Sequence, residues 1–205
     1  MIALDFFLPS CRRRWQSRRE FEFHFHEKAI FPEEYIRMCP WEATYVYNVA
    51  CMARTGIVEV GRFHGGGTLL LSGPDTAPVH SVDIDPQNDE LLKSYIEKHN
   101  IKNIHLHIAD STDPSLSHEI DYDVLFIDGD HSYDGVMADM KAWYPRLKKG
   151  GHMVFHDAYM EYNIPEAIFD FTADKDVRFI LGPLNPQESW QSPFGSICHI
   201  QKLED

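Results

Sequence analysis

The chain has 205 residues, 43% of them hydrophobic, which is enough for one well-buried domain and too few for two of full size. A formal net charge of -13 argues against nucleic acid or an anionic membrane as a general partner. Cys11, Cys39, Cys51 and Cys198 form no C-x-x-C pair, and no apolar run approaches the ~18 residues of a membrane span, so a soluble protein of a cytoplasmic, reducing compartment is expected.

The opening MIALDFFLPSC places its basic residues after the apolar run, the reverse of a signal peptide. CRRRWQSRR follows as a basic cluster on an otherwise acidic chain, suited to a polyanion or to docking on the acidic body or a second subunit. In REFEFHFHEK, Phe21, Phe23 and Phe25 alternate with Glu22, His24 and His26, the pattern of a strand with one apolar face. Two histidines do not make a metal site. Residues 1–32 therefore read as an N-terminal arm or lid, with 33–205 as the domain proper. Ala43, Val46, Tyr47 and Ala50 recur at helical spacing and predict a helix ahead of the first central strand.

That strand is Ile57, Val58 and Val60, bounded by Gly56 and Gly61. Gly61, Gly65, Gly66 and Gly67 then crowd a turn before Thr68-Leu69-Leu70-Leu71 opens a helix. Such a turn lets a ligand approach the backbone and exposes amide N–H groups to it. The spacing is E-x-G-x-x-x-G, not the G-x-G-x-x-G of a dinucleotide fingerprint. Strands follow at 79–84, 104–108, 124–127 and 152–155, with helices over 89–100, over 132–149 (Ser132 as cap, Gly150-Gly151 as stop) and from Pro165. His105 and His107 fall on the alternate face of the third strand. Segments 177–181 and 195–200 are joined by a loop without helical pattern, hence an antiparallel terminal hairpin. The fold class is α/β: a doubly wound, Rossmann-like sheet of seven strands.

Ligands of such sheets sit outside the carboxyl ends of the strands. Asp83 ends strand two, where a carboxylate accepts hydrogen bonds from a ribose diol. Asp110 and Ser111 end strand three, Asp128 strand four, and His156-Asp157 strand five. Strands four and five should be neighbours about 4.8 Å apart. Asp128 and Asp157 then converge, repel unless a proton or cation is shared, and suit a hard ion such as Mg²⁺. His131, three residues beyond Asp128, is a candidate general base; His156 is its rival, as base or as a third ligand. A second reading makes both aspartates helix caps.

EVGRFHGGGTL resembles motif I of the class I S-adenosylmethionine (SAM)-dependent methyltransferases. IDGDHSYDGVMADMKAWYPRLKKGGHMVFHD is similar to the metal-dependent O-methyltransferases of small molecules and sugars, the macrocin O-methyltransferase-like and cephalosporin hydroxylase-like branch. The resemblance implies strand order 3-2-1-4-5-7-6. It implies that Glu59 and the turn (Gly61, Gly65, Gly67, Thr68) hold the methionine end of SAM, that Asp83 takes the ribose, and that Asp110 with Ser111 takes the adenine. It also implies that Asp128 and Asp157 bind Mg²⁺ at the cofactor's edge while His131 acts as base. Many relatives carry two consecutive acidic residues where this chain has His156-Asp157, so the ligand count departs from theirs. The expected activity is O-methylation of a small-molecule or sugar hydroxyl, with Tyr133 and Trp190 as candidate acceptor walls and a homo-oligomer as an option. A nicotinamide-dependent oxidoreductase and a non-catalytic SAM-binding protein are the alternatives.

Overall fold

A computed structural model describes residues 37–86, 89–159, 163–182 and 195–205. The expected arm (residues 1–32) and Trp190 lie outside these. Seven strands form one sheet in the order β3-β2-β1-β4-β5-β7-β6. They are β1 (Ile57–Val60), β2 (Val79–Asp83), β3 (Ile104–Ile108), β4 (Val124–Ile127), β5 (His152–Phe155), β6 (Val177–Leu181) and β7 (Cys198–Lys202). β1 to β5 pair in parallel, and β7 runs antiparallel between β5 and β6. β1 and β4 are buried at every residue, as central parallel strands covered on both faces must be.

Strand parity divides the core. Ile57, Val79, Val124, Phe126 and Val154 face α1 (Pro40–Ala50) and α2 (Gly66–Ser72). Val58, Val60, Leu125, Ile127, Met153 and Phe155 face α5 (Tyr133–Trp143) and α6 (Asn163–Thr172). α3 (Asp89–Lys98) and α4 (Pro114–Glu119) complete the crossovers. α4 has no counterpart in the sequence reading, although Asp113-Pro114 is a helix start: the Asp113 carboxylate accepts from Ser115 N at 2.9 Å.

The expected helix over 132–149 ends earlier. Pro145 lacks an N–H and its ring collides with the preceding turn, so α5 stops at Trp143 and a 3₁₀ turn, Tyr144–Arg146, follows. Ser132 caps α5 as expected, accepting from Gly135 N at 3.0 Å. No helix among the described residues is long and apolar enough to cross a membrane.

Candidate active site

The carboxyl ends of β1 to β5 open on a cavity of ≈ 630 Å³. At its head β1 turns at Gly61, whose φ of +87° lies in the left-handed region. Gly61 N donates to Val82 O at 2.9 Å, and Asp128 N donates to Val60 O at 2.8 Å, fixing the turn between β2 and β4. Asp83 ties the turn down from the side. Its Oδ2 accepts from Arg62 N at 2.7 Å and Phe63 N at 2.9 Å, and its Oδ1 accepts from Asp85 N at 2.8 Å. A carboxylate offers about four acceptor positions, so Asp83 keeps roughly one for a hydroxyl in the cavity it lines.

Gly61, Asp83, Asp110, Ser111, Asp128, His131, His156 and Asp157 all line the cavity. Glu59, Gly65, Gly67 and Thr68 lie behind that lining. Glu59 pairs in register with Ser81 and faces α2, one parity step from the cavity-lining Val60. Its Oε2 accepts from Thr68 Oγ1 and Ser81 Oγ, each at 2.5 Å, and its Oε1 is buried without a partner. A Cβ at Gly67 would lie 2.5 Å from that Oε1, so glycine here lets α2 settle on the carboxyl. These residues support the turn from beneath.

Burial pushes the Glu59 carboxyl up to about 8 against the hydroxyl hydrogen bonds that lower it. The folded chain therefore retains a proton that the unfolded chain releases near 4.5. Stability from this group is fully present below 4.5 and lost as pH rises through about 8. Glu59→Gln, neutral at every pH, is expected to flatten that loss. Urea melts of both proteins across this window should converge at acid pH and separate in favour of the variant at alkaline pH; parallel profiles would contradict the assignment.

Two residues that sequence reading missed complete this half. Arg62, inside the glycine turn, is fully buried at its side chain and forks onto Asp89, Nε to Oδ1 at 2.8 Å and Nη2 to Oδ2 at 3.0 Å. Its Nη1 donates to Ser81 O at 2.8 Å and His107 O at 3.3 Å, binding the turn to β2, β3 and α3. Asp139 on α5 is buried in the cavity wall and accepts from Ser111 Oγ at 2.5 Å; burial raises its carboxyl to about 6. Asp110 is engaged with its own turn, accepting from Thr112 N at 2.8 Å and Thr112 Oγ1 at 2.6 Å.

At the other end of the cavity, β4 and β5 bring Asp128, His131 and Asp157 together, with one potential ligand atom from each lying within 4.8 Å of the others. His131 Nε2 is 3.6 Å from Asp128 Oδ1, and its Nδ1 is 4.0 Å from Asp157 Oδ2. The hydrogen bond to Asp128 raises the His131 imidazole above its ordinary range. Asp157 sits at φ +49°, and its Oδ1 accepts from Ser196 Oγ at 3.2 Å. Two carboxylates and an imidazole at a cavity edge fit a divalent cation.

His156 sits among three carboxylates. Its Nδ1 lies 3.0 Å from Asp128 Oδ1 and 3.4 Å from Asp157 Oδ2, and its Nε2 lies 3.5 Å from Glu42 Oε2. Burial alone would lower it, but hydrogen bonds to Asp128, Asp157 and Glu42 outweigh that and push it up to about 12. Both ring nitrogens face carboxylates, and Nε2 is buried without a hydrogen bond of its own. His131 supplies the third atom of the cluster with Asp128 and Asp157. Glu42, also missed, comes from the first turn of α1; it accepts from Ser196 N at 2.6 Å and Cys39 N at 2.8 Å, and its carboxyl is held well below the usual range despite burial. Tyr133 OH donates to Asp170 at 2.9 Å and does not line the cavity, so the expected acceptor wall is not formed by it.

Residues 58–158 match a family model described as a methyltransferase domain. An uncharacterized protein of Acanthamoeba polyphaga mimivirus is 36% identical over 116 residues, 51% of this chain and 52% of its own length. The chain thus spans about half of that curated relative. Among solved structures, the S-adenosylhomocysteine-bound methyltransferase PaMTH1 of Podospora anserina is similar at a TM-score of 0.62 and 15% identity, covering 97% of this chain and 89% of that one. The O-methyltransferase NovP gives 0.64 and 15%, covering 83% of each chain. An rRNA methylase from Streptococcus thermophilus gives 0.57 and 14%, covering 80% of this chain and 97% of that one. At such identities the structural likeness is one of fold. The match to a methyltransferase domain over residues 58–158 spans every residue that lines the cavity except Arg37.

Proposed function

We propose that the chain is a SAM-dependent O-methyltransferase acting on a small-molecule hydroxyl, a sugar or vicinal diol among them. The observation that carries this reading is one cavity with two unlike ends. A turn held by Asp83 closes one end, and Asp128, His131 and Asp157 close the other. The first end suits a nucleoside with a ribose diol. The second suits a hydroxyl that must lose a proton.

Asp128 and Asp157 would hold a divalent cation, which when bound supplies Lewis acidity toward an acceptor oxygen. His131 takes the hydroxyl proton, oriented for this by its contact with Asp128. His156 contacts both carboxylates and ties them to α1 through Glu42. An acceptor oxygen held in line with the methyl group would gain much of its rate from proximity. A net charge of -13 favours a small acceptor over the RNA substrate named for one fold neighbour.

Methyl transfer from labelled SAM to a panel of diols and sugars tests this. His131→Ala is expected to cut turnover by roughly 10²- to 10⁴-fold with binding of S-adenosylhomocysteine retained. EDTA should remove activity and Mg²⁺ restore it. Unchanged turnover in His131→Ala would exclude the assigned base, and EDTA-resistant turnover would exclude the cation.

A further inference from the structure

A second cluster of ligating side chains lies away from the cavity's acidic end, on the outer pair of strands. His80 of β2 is in register with His105 of β3, and Val82 with His107, so the three histidines share one face. β3 is the outer strand of the described sheet. The His80 ring stacks on His105 at 4.8 Å and on His107 at 5.3 Å between centroids. His80 Nδ1 and His107 Nε2 share one hydrogen bond at 3.1 Å.

That separation has a second meaning. Two imidazole nitrogens bound to one ion at about 2.0–2.1 Å, at angles from square to tetrahedral, lie about 3.0–3.4 Å apart. The pair is therefore spaced for a common ion without backbone movement. His105 is exposed and stacked on His80, so its side chain would have to turn from that stack to supply a third nitrogen. Residues i and i+2 of a strand, with a cross-strand neighbour, form a three-point nitrogen set on a rigid element. We propose that His80, His105 and His107 form a binding site for one borderline-soft divalent cation of the zinc or nickel class, distinct from the oxygen-rich site at Asp128.

The donor chemistry separates the two sites. Three imidazoles with no carboxylate select zinc, nickel or copper and take magnesium poorly. Burial and the neighbouring histidines lower His80 to about 4, and burial first, then His105 and Arg62, lowers His107, so both rings are neutral at pH 7 and need lose no proton to bind. The ion would staple the outer strand to β2. Arg62 Nη1 already reaches His107 O, so the staple would sit behind the glycine turn.

The test is calorimetric titration with Zn²⁺ and with Ni²⁺ of the full chain carrying Asp128→Asn and Asp157→Asn, a background without the acidic site that these ions would also fill. One equivalent should bind. His80→Gln and His107→Gln, which keep a polar group in place, should each weaken it by at least about tenfold. His105→Gln should weaken it less, and His24→Gln/His26→Gln should leave it unchanged. Circular dichroism checks that each variant is folded. Absence of binding to that background would overturn the proposal, as would unchanged affinity when His80→Gln and His107→Gln are both added to it.

Discussion

Gly61→Ala is expected to cost on the order of 3–5 kcal/mol of stability and to abolish nucleoside binding. The backbone here has φ +87°, and a non-glycine residue in that region pays about 1–3 kcal/mol before any contact is counted. A Cβ would then stand 2.3 Å from Asp128 O and 2.7 Å from Gly129 Cα. Both are backbone atoms of the segment leaving β4, so relief requires parting β1 from β4 where Asp128 is delivered to the site. Urea unfolding should show a lower midpoint with the slope retained. A midpoint equal to wild type would mean the turn is not held against Asp128 as described.

Arg62→Met should be comparably severe, about 3–5 kcal/mol, because it strands a buried carboxylate. Asp89 is 2% exposed, and the guanidinium fork meets both its oxygens. Replacing both partners, Arg62→Met with Asp89→Leu, should recover much of the loss, since an apolar pair avoids desolvating two charges. Recovery should stop short of wild type because Ser81 O and His107 O lose their donor. A double-mutant cycle from urea melts measures the coupling. Additive single effects would show that the fork contributes nothing to the fold.

The residues that end the strands were legible because strands and their ends are local. Apolar runs such as Val124–Ile127 mark buried parallel strands, and a polar residue at the strand's end or within two residues of it marks the carboxyl edge. Asp83, Asp110, Asp128 and Asp157 all reach the cavity by that logic. Glu59 differs by one step of parity: it lies inside β1, opposite Ser81, on the face beneath α2. Arg62 was hidden because its partner Asp89 lies 27 residues on, and a basic residue in a glycine turn carries no local sign of burial. Glu42 was hidden for the same reason, since Ser196 lies 154 residues away. His156 stood in the expected place, but its part depends on three carboxylates from three elements, which no spacing reveals.

The measurement that bears most directly on the central claim is calorimetric titration with S-adenosylhomocysteine beside NAD⁺. One equivalent of S-adenosylhomocysteine should bind and NAD⁺ should not. Asp83→Ala should weaken that binding by ~1–3 kcal/mol, the cost of removing a hydrogen-bond partner from a buried hydroxyl. No heat from S-adenosylhomocysteine, or saturable binding of NAD⁺ in its place, would contradict the assignment of this cavity.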